Sequence, residues 1–425
     1  MTEIFARIAD RVDRDRVVEL ASGVLRIPSL SDHEDEVAHH LAQRMEEIGM
    51  TVELQPVPPN SYMSQPSVNA IGRLKGTGGG PTLLFSGHMD HNPVCDGWTK
   101  DPFGAIVEDG WIYGFMHMKS ANAAYIAALE AVIAAGVPLR GNVVIANVCG
   151  ELRGGAGTRH ALEQGLEADF FVLGEPSELE LALSHTASIV VRIHALGQMK
   201  HFATFDAPGF KGVNAVEKMV PVIAALAPSH TLMAHRGAGG WLTFEDRPGF
   251  EGLPQLCIGS IRGGISRNHD TSRPGLLPDV CSITVDIRMI PGMTRDSVHA
   301  DLERLLDGLV ANDPDFRYEI EFMPDFFPHP FEGDRGAYVV NSLAAAHFHV
   351  TGEALRETDI RKFGATDASW MARAGIKGLI YGPAGRYLSR PDERGRIDDL
   401  VTAAKVYACI IADVCTKTRV EVGLG

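Results

Sequence analysis

The stretch Thr82-Leu83-Leu84-Phe85-Ser86-Gly87-His88-Met89-Asp90-His91 decides how this chain reads. Its first four residues are an apolar run with strand character, and Ser86-Gly87 marks a turn. A strand ending there presents His88 at the carboxyl edge of a sheet, the edge at which open α/β sheets hold their ligands. Asp90, two residues on, is placed to orient the imidazole as a supporting carboxylate. The segment reads as the opening of a metal-hydrolase site.

The flanking sequence alternates strand and helix. Asp13 to Leu25 has helical apolar spacing stopped before Pro28, and Ser31 with Glu34 forms a capping box for a helix to about Ile48. Met50–Val57, Thr82–Ser86, Asn142–Val148 and Phe170–Gly174 read as strands, and Ala121–Ala135 as a helix ended by Gly136. This alternation predicts an α/β fold, a mixed sheet flanked by helices. After about Ser184 the pattern changes. Strands Ile189–Ala195 and Ser282–Arg288 with helices Val213–Leu226 and Thr294–Val310 predict a small inserted α+β sandwich. From Asp325 the chain returns to the first domain and ends in a helix over Asp398–Val414. The expected domains are 1–185 and 325–425 for the first unit and 186–324 for the insertion.

Composition narrows the function. A chain of 425 residues exceeds one ordinary domain, and 45% apolar with 22% charged residues is typical of a globular protein. A formal charge of -15 argues against nucleic-acid binding. The first twenty residues carry Asp, Glu and Arg throughout, so no signal peptide is expected, and no apolar run is long enough to span a membrane. The six cysteines form no CxxC pair and read as reduced residues of a cytoplasmic protein.

An ordered series of short motifs follows His88. It runs Asp96-Gly97-Trp98, Asp101-Pro102-Phe103, Tyr113-Gly114, Met118-Lys119, Glu151 with a Gly-rich turn, Gly174-Glu175-Pro176-Ser177, His201, Asp286-Ile287-Arg288 and Gly382-Pro383. Together these resemble the metal-dependent amidohydrolases that include aminoacylase, acetylornithine deacetylase, succinyl-diaminopimelate desuccinylase and carboxypeptidase G. The resemblance implies a zinc-peptidase-like catalytic domain interrupted by a dimerisation (lid) domain, a homodimer or higher homo-oligomer, and hydrolysis of C–N bonds. It gives His88 and Glu175 as metal ligands and Asp90 as the orienting acid. His201 matches a histidine that stabilises the developing oxyanion from a partner's lid. Arg288 and Asn268 match positions that hold a substrate carboxylate, and Arg386 lies in an arginine cluster that is a further substrate-binding candidate. Arg288 alternatively pairs with Asp286, and the arginine cluster is alternatively a solvated surface run.

The departures from that family pattern matter as much. Its bridging Asp is replaced by His117, in a loop shortened by about two residues that alternatively displaces the imidazole. Of two adjacent Glu residues only Glu151 is present, as ligand or as general base. The last ligand, a His, is replaced by Ser389. His88, His117 and Glu175 then group around one divalent transition metal (Mn, Zn or Fe), held labile by its small ligand set. The family includes an enzyme that replaces the amine of 5-nitroanthranilate by hydroxyl. The altered ligands favour such hydrolytic deamination of a small carboxylate-bearing arylamine. The alternatives are an N-acyl amino acid deacylase or dipeptidase and, less favoured, a non-catalytic binding relative.

Overall fold

A computed structural model of the chain describes residues 2–226, 240–245, 247, 249–250, 254–270, 275–358, 364–383, 385–386 and 388–425. Their contacts divide into two compact units. One comprises Met1–Ser184, Phe331–Lys362 and Thr366–Gly425; the other comprises His185–Pro330 with 363–365.

The first unit is built on a six-stranded mixed sheet, in the order Thr51–Val57, Ser67–Leu74, Asn142–Val148, Thr82–His88, Phe170–Leu173 and Lys377–Ile380. The last four strands are mutually parallel, and the first two join antiparallel. Parallel strands are covered on both faces, which explains the apolar runs Val143-Val144-Ile145-Ala146 and Phe170–Leu173. On one face Met45 of helix Asp35–Glu47 lies over Gly72, while Phe85 packs against Tyr125 of helix Lys119–Ala134 and Tyr407 of helix Ile397–Cys415. Asn69 points to the opposite face by strand alternation, and there its amide donates to Gly157 O of helix Ala156–Glu163 at 2.9 Å.

The second unit is a four-stranded antiparallel sheet, ordered Gln255–Gly264, Val280–Arg288, Ile189–Leu196 and Arg317–Phe322. Helix Ala215–Leu226 buries Met219, Val222 and Leu226, and helix Arg295–Asn312 buries Val298, Leu302 and Leu306. Thr294 and Ser297 exchange hydrogen bonds in a capping box that starts the latter helix.

One reading from sequence needs correction. Ser31 and Glu34 form no capping box: Glu34 precedes helix Asp35–Glu47 in helical conformation and makes no cap bond. Ser31 Oγ instead donates to Asp90 at 2.8 Å, and Glu34 accepts from Ser67 Oγ at 2.7 Å. Both side chains are spent on tertiary partners, which outcompete the local bond. Helix Thr2–Ala9 and strands Ser67–Leu74, Gln255–Gly264 and Arg317–Phe322 are additional elements. Asn69 and Gly72 dilute the apolar signal of the first of these strands, and Gly259, Gly263 and Gly264 that of the second.

The carboxyl ends of three adjacent parallel strands converge. His88 pairs in register with Val148, and Ser86 with Leu173, so His88, Glu151 and Glu175 leave the sheet at one edge. The approach of helix Lys119–Ala134 to that edge requires Gly87: a Cβ there would lie 1.8 Å from Asn122 Oδ1. Asn122 Nδ2 donates to His88 O at 3.0 Å, so displacing it disturbs the strand end. Gly87→Ala is expected to destabilise the protein by about 1–3 kcal/mol, read as a lowered denaturation midpoint at unchanged slope.

Candidate metal centre

His88, His117 and Glu175 each offer one ligand atom, and these atoms all lie within 4.8 Å of one another. His117 Nε2 is 2.7 Å from Glu175 Oε2, and His88 Nε2 is 3.9 Å from Glu175 Oε1. The two imidazoles meet edge to face with centroids 5.0 Å apart. The His88 and Glu175 side chains are 1% and 3% exposed, whereas His117 is 28% exposed, so the open side of the group is at His117.

Asp90 fixes the geometry. His88 Nδ1 lies 3.0 Å from Asp90 O and 3.3 Å from Asp90 Oδ1, two acceptors that keep the proton on Nδ1. Nε2 is therefore the ring atom turned toward the group, and this buried atom has no hydrogen-bond partner among the described residues. The same Asp90 carboxylate accepts from Ser31 Oγ at 2.8 Å, Glu151 N at 3.1 Å and Leu152 N at 3.0 Å. Burial opposes its ionisation, but the hydrogen bonds from His88, Ser31 and Leu152 hold its pKa below the ordinary value.

Glu151 starts a short 3₁₀ turn after Gly150, which has a left-handed φ of 62°. Its carboxylate is nearly buried and stands outside the three-donor group. Burial raises its pKa well above the ordinary carboxylate value; His88 opposes this, and the charges of Glu175, Asp367 and Asp90 add to it. Burial likewise lowers His88, yet the Asp90 hydrogen bond and the charges of Asp90, Glu151 and Glu175 prevail and lift it to about 10.

Three carboxylates around the centre escaped sequence reasoning. Glu34 accepts from Gly150 N at 3.0 Å, and burial beside Asp90 pushes its pKa up to about 7. Asp367, before helix Ala368–Arg373, is fully buried, and neither of its oxygens makes a hydrogen bond of good geometry among the described residues. Its pKa also rises to about 7, through burial first. Glu393 accepts from His117 N and from Ser389 N, each at 2.8 Å, and so pins the loop that carries His117. Local sequence held no signal for the bonds of Glu34 to Gly150 and of Glu393 to His117, since those partners lie far along the chain.

The remaining expected residues are placed as follows. Ser389 is held by Asn92 Nδ2 at 2.8 Å and supplies no imidazole. Arg386 pairs with Glu178 at 3.0 Å and is exposed. His201, Asn268 and Arg288 belong to the second unit. His201 is exposed and stacks on Phe202, Asn268 is exposed in a turn, and Arg288 pairs with Asp286 at 2.8 Å.

The donors fit a divalent cation. Two imidazoles and a carboxylate suit Mn, Zn or Fe, and the partnerless His88 Nε2 points to the need for one. Glu34, Asp90, Glu151, Glu175 and Asp367 are all buried here, and such a surplus of negative charge is costly unless a cation offsets it. Metal uptake must displace the His88 proton, because its raised pKa keeps the ring protonated at neutral pH without metal. Calorimetry in buffers of different ionisation enthalpy should therefore show proton release, and affinity should fall as pH falls. Asp90→Asn should weaken metal binding by about 10–100-fold, measured by competition with a chelating dye.

Residues 84–413 match the model of peptidase family M20/M25/M40. The chain is 28% identical to the N-formyl-4-amino-5-aminomethyl-2-methylpyrimidine deformylase of Bacillus subtilis, over 89% of each chain. It is 30% identical to the acetylornithine deacetylase of Proteus mirabilis, covering 69% of this chain and 71% of that one. The fold matches aminopeptidase PepT of Bacillus cereus with a TM-score of 0.73 at 18% identity, over 95% of this chain and 99% of that one. With most of its length matched, from the strand that delivers His88 to the last helix, the chain belongs to peptidase family M20/M25/M40 and is a metal-dependent hydrolase of C–N bonds.

Proposed function

We propose that the chain hydrolyses the C–N bond of an electron-poor aromatic amine carrying a carboxylate, such as 5-nitroanthranilate, using one divalent cation held by His88, His117 and Glu175. The observation that carries this reading is that the three-donor group is complete without Glu151. That leaves a buried carboxylate of raised pKa beside the donors and free for proton transfer.

When bound, the cation supplies Lewis acidity that makes water a nucleophile near neutral pH. Glu151 takes the proton of the attacking water and delivers it to the departing amine. The arylamine and water thus become a phenol and ammonia. Amide hydrolysis gains from a carbonyl polarised by the site and from a second adjacent Glu. Gly150 stands where that Glu would be. An arene with electron-withdrawing substituents holds the charge of the addition intermediate itself, so it asks less of the protein. In this reading Arg288 and Asn268 hold the substrate carboxylate through a guanidinium fork and an amide, with Arg386 as a further candidate. His201 stabilises developing charge from the lid of a second subunit, which makes the working form a homodimer or larger assembly.

A second reading, hydrolysis of an N-formyl or N-acyl group, is favoured by the deformylase and deacetylase relatives. An assay supplemented with Mn or Zn separates the two. Ammonia and 5-nitrosalicylate should form from 5-nitroanthranilate, while N-acyl amino acids, formamides and dipeptides remain. Efficient cleavage of the acyl substrates with no release of ammonia from the arylamine would give the second reading. Glu151→Gln should lower turnover by about 10²–10⁴-fold and leave metal affinity within a few-fold. Loss of the metal in that variant would make Glu151 a ligand.

A further inference from the structure

The sheet of the second unit packs its helices against one face and turns a polar face the other way. Two cross-strand rows define that polar face. In one, Arg262, Ser282, His194 and Glu319 are register partners in turn; in the other, Ser260, Thr284, Arg192 and Glu321. They line a concavity of about 650 Å³.

A fold-back turn brings two more side chains to it. Ile265 and Asp270 exchange backbone hydrogen bonds of 2.8 and 3.0 Å, and within the turn Ser266 and His269 adopt left-handed φ values of 60° and 55°. Such angles are unfavourable for residues with a Cβ and persist only where the surroundings enforce them. The turn carries His269 Nε2 to 2.9 Å from Ser282 Oγ and Arg267 to Glu319. Ser282 Oγ also lies 2.7 Å from His194 Nδ1, so one nearly buried hydroxyl joins two imidazoles.

The charges are unbalanced. Arg192 pairs with Glu321 at 2.9 Å and Arg267 with Glu319, whereas the Arg262 guanidinium has no hydrogen bond or ion pair among the described residues. After some burial, the charges of Arg262, Arg192 and Arg267 all depress the His269 pKa, so three guanidinium groups converge on one imidazole. This happens in a chain of net charge -15, where no general excess of basic residues explains it. The two exposed salt bridges hold little energy and can give up N–H donors readily. The sheet's backbone N–H groups lie in the plane of the sheet and not toward this face, so recognition here falls to side chains.

We infer that this face is a binding site for a small oxyanion, a phosphate or a carboxylate, gripped by Arg262, Arg267 and Arg192 over the Ser282 and Thr284 hydroxyls. Guanidinium forks match both oxyanions, and a bound anion relieves the mutual repulsion of the three arginines. The site lies wholly within the second unit and does not depend on which C–N bond the enzyme cleaves.

Calorimetric titration of the metal-loaded full-length enzyme tests it, with inorganic phosphate in one arm and succinate in the other, at ionic strength fixed with chloride. Saturable uptake of either anion is expected, and the arm that responds identifies the source. Arg262→Ala combined with Arg267→Ala removes two exposed side chains. The pair should weaken uptake at least about tenfold while turnover and melting temperature stay unchanged. His117→Ala should leave uptake intact. Absence of saturable uptake in both arms, equal uptake in the arginine variant, or loss of uptake in His117→Ala overturns the inference.

Discussion

The catalytic unit depends on one buried carboxylate. Asp90 sets the tautomer of His88, and the same two oxygens hold Ser31 of the amino-terminal segment and the backbone of Glu151 and Leu152. Three pieces of chain far apart in sequence are fixed relative to one another by a single side chain. The arrangement holds because every lone pair that burial would leave unsatisfied has found a donor. A carboxylate so engaged stays ionised without water, and it can therefore act as a permanent negative charge behind the histidine.

Around that anchor the centre carries more buried acid than buried base. Glu34, Glu151 and Asp367 all have pKa values lifted by burial and by neighbouring carboxylates. Lys119 does not supply a balancing positive charge: its ammonium is spent on Ile27 O and Ser29 Oγ, and burial pushes its pKa down to about 7. A divalent cation between two imidazoles and Glu175 is the natural counter-charge. His117 and Ser389 stand where the family resemblance gives a bridging carboxylate and an imidazole, and three donors, His88, His117 and Glu175, come together.

Much of this was legible in the chain. The apolar run before His88, the spacing to Asp90 and the order of later motifs pointed to a metal-dependent hydrolase, and the family match and the mixed α/β fold agree. Strands Thr82–His88, Asn142–Val148 and Phe170–Leu173 and helices Lys119–Ala134 and Ile397–Cys415 were readable, because most of their residues are buried and apolar. The signal faded at Ser67–Leu74 and Gln255–Gly264, where glycines and asparagine interrupt the pattern, and at the edge strand Arg317–Phe322. Ser31 and Glu34 misled because their spacing suits a local cap, whereas their bonds reach Asp90, Ser67 and Gly150.

What the sequence by itself determined is the kind of chemistry: the residue types at strand ends, and the absence of a second Glu beside Glu151 and of an imidazole at 389. Those are properties of positions and survive without coordinates. Only the tertiary structure decided which of the candidates meet. It brought His117 Nε2 to Glu175, set Glu151 beside rather than within the donor group, and buried Asp367 close by. The reason is that ligand distance and desolvation are properties of packing: they arise where separate strands and loops converge, and no local stretch of chain encodes them.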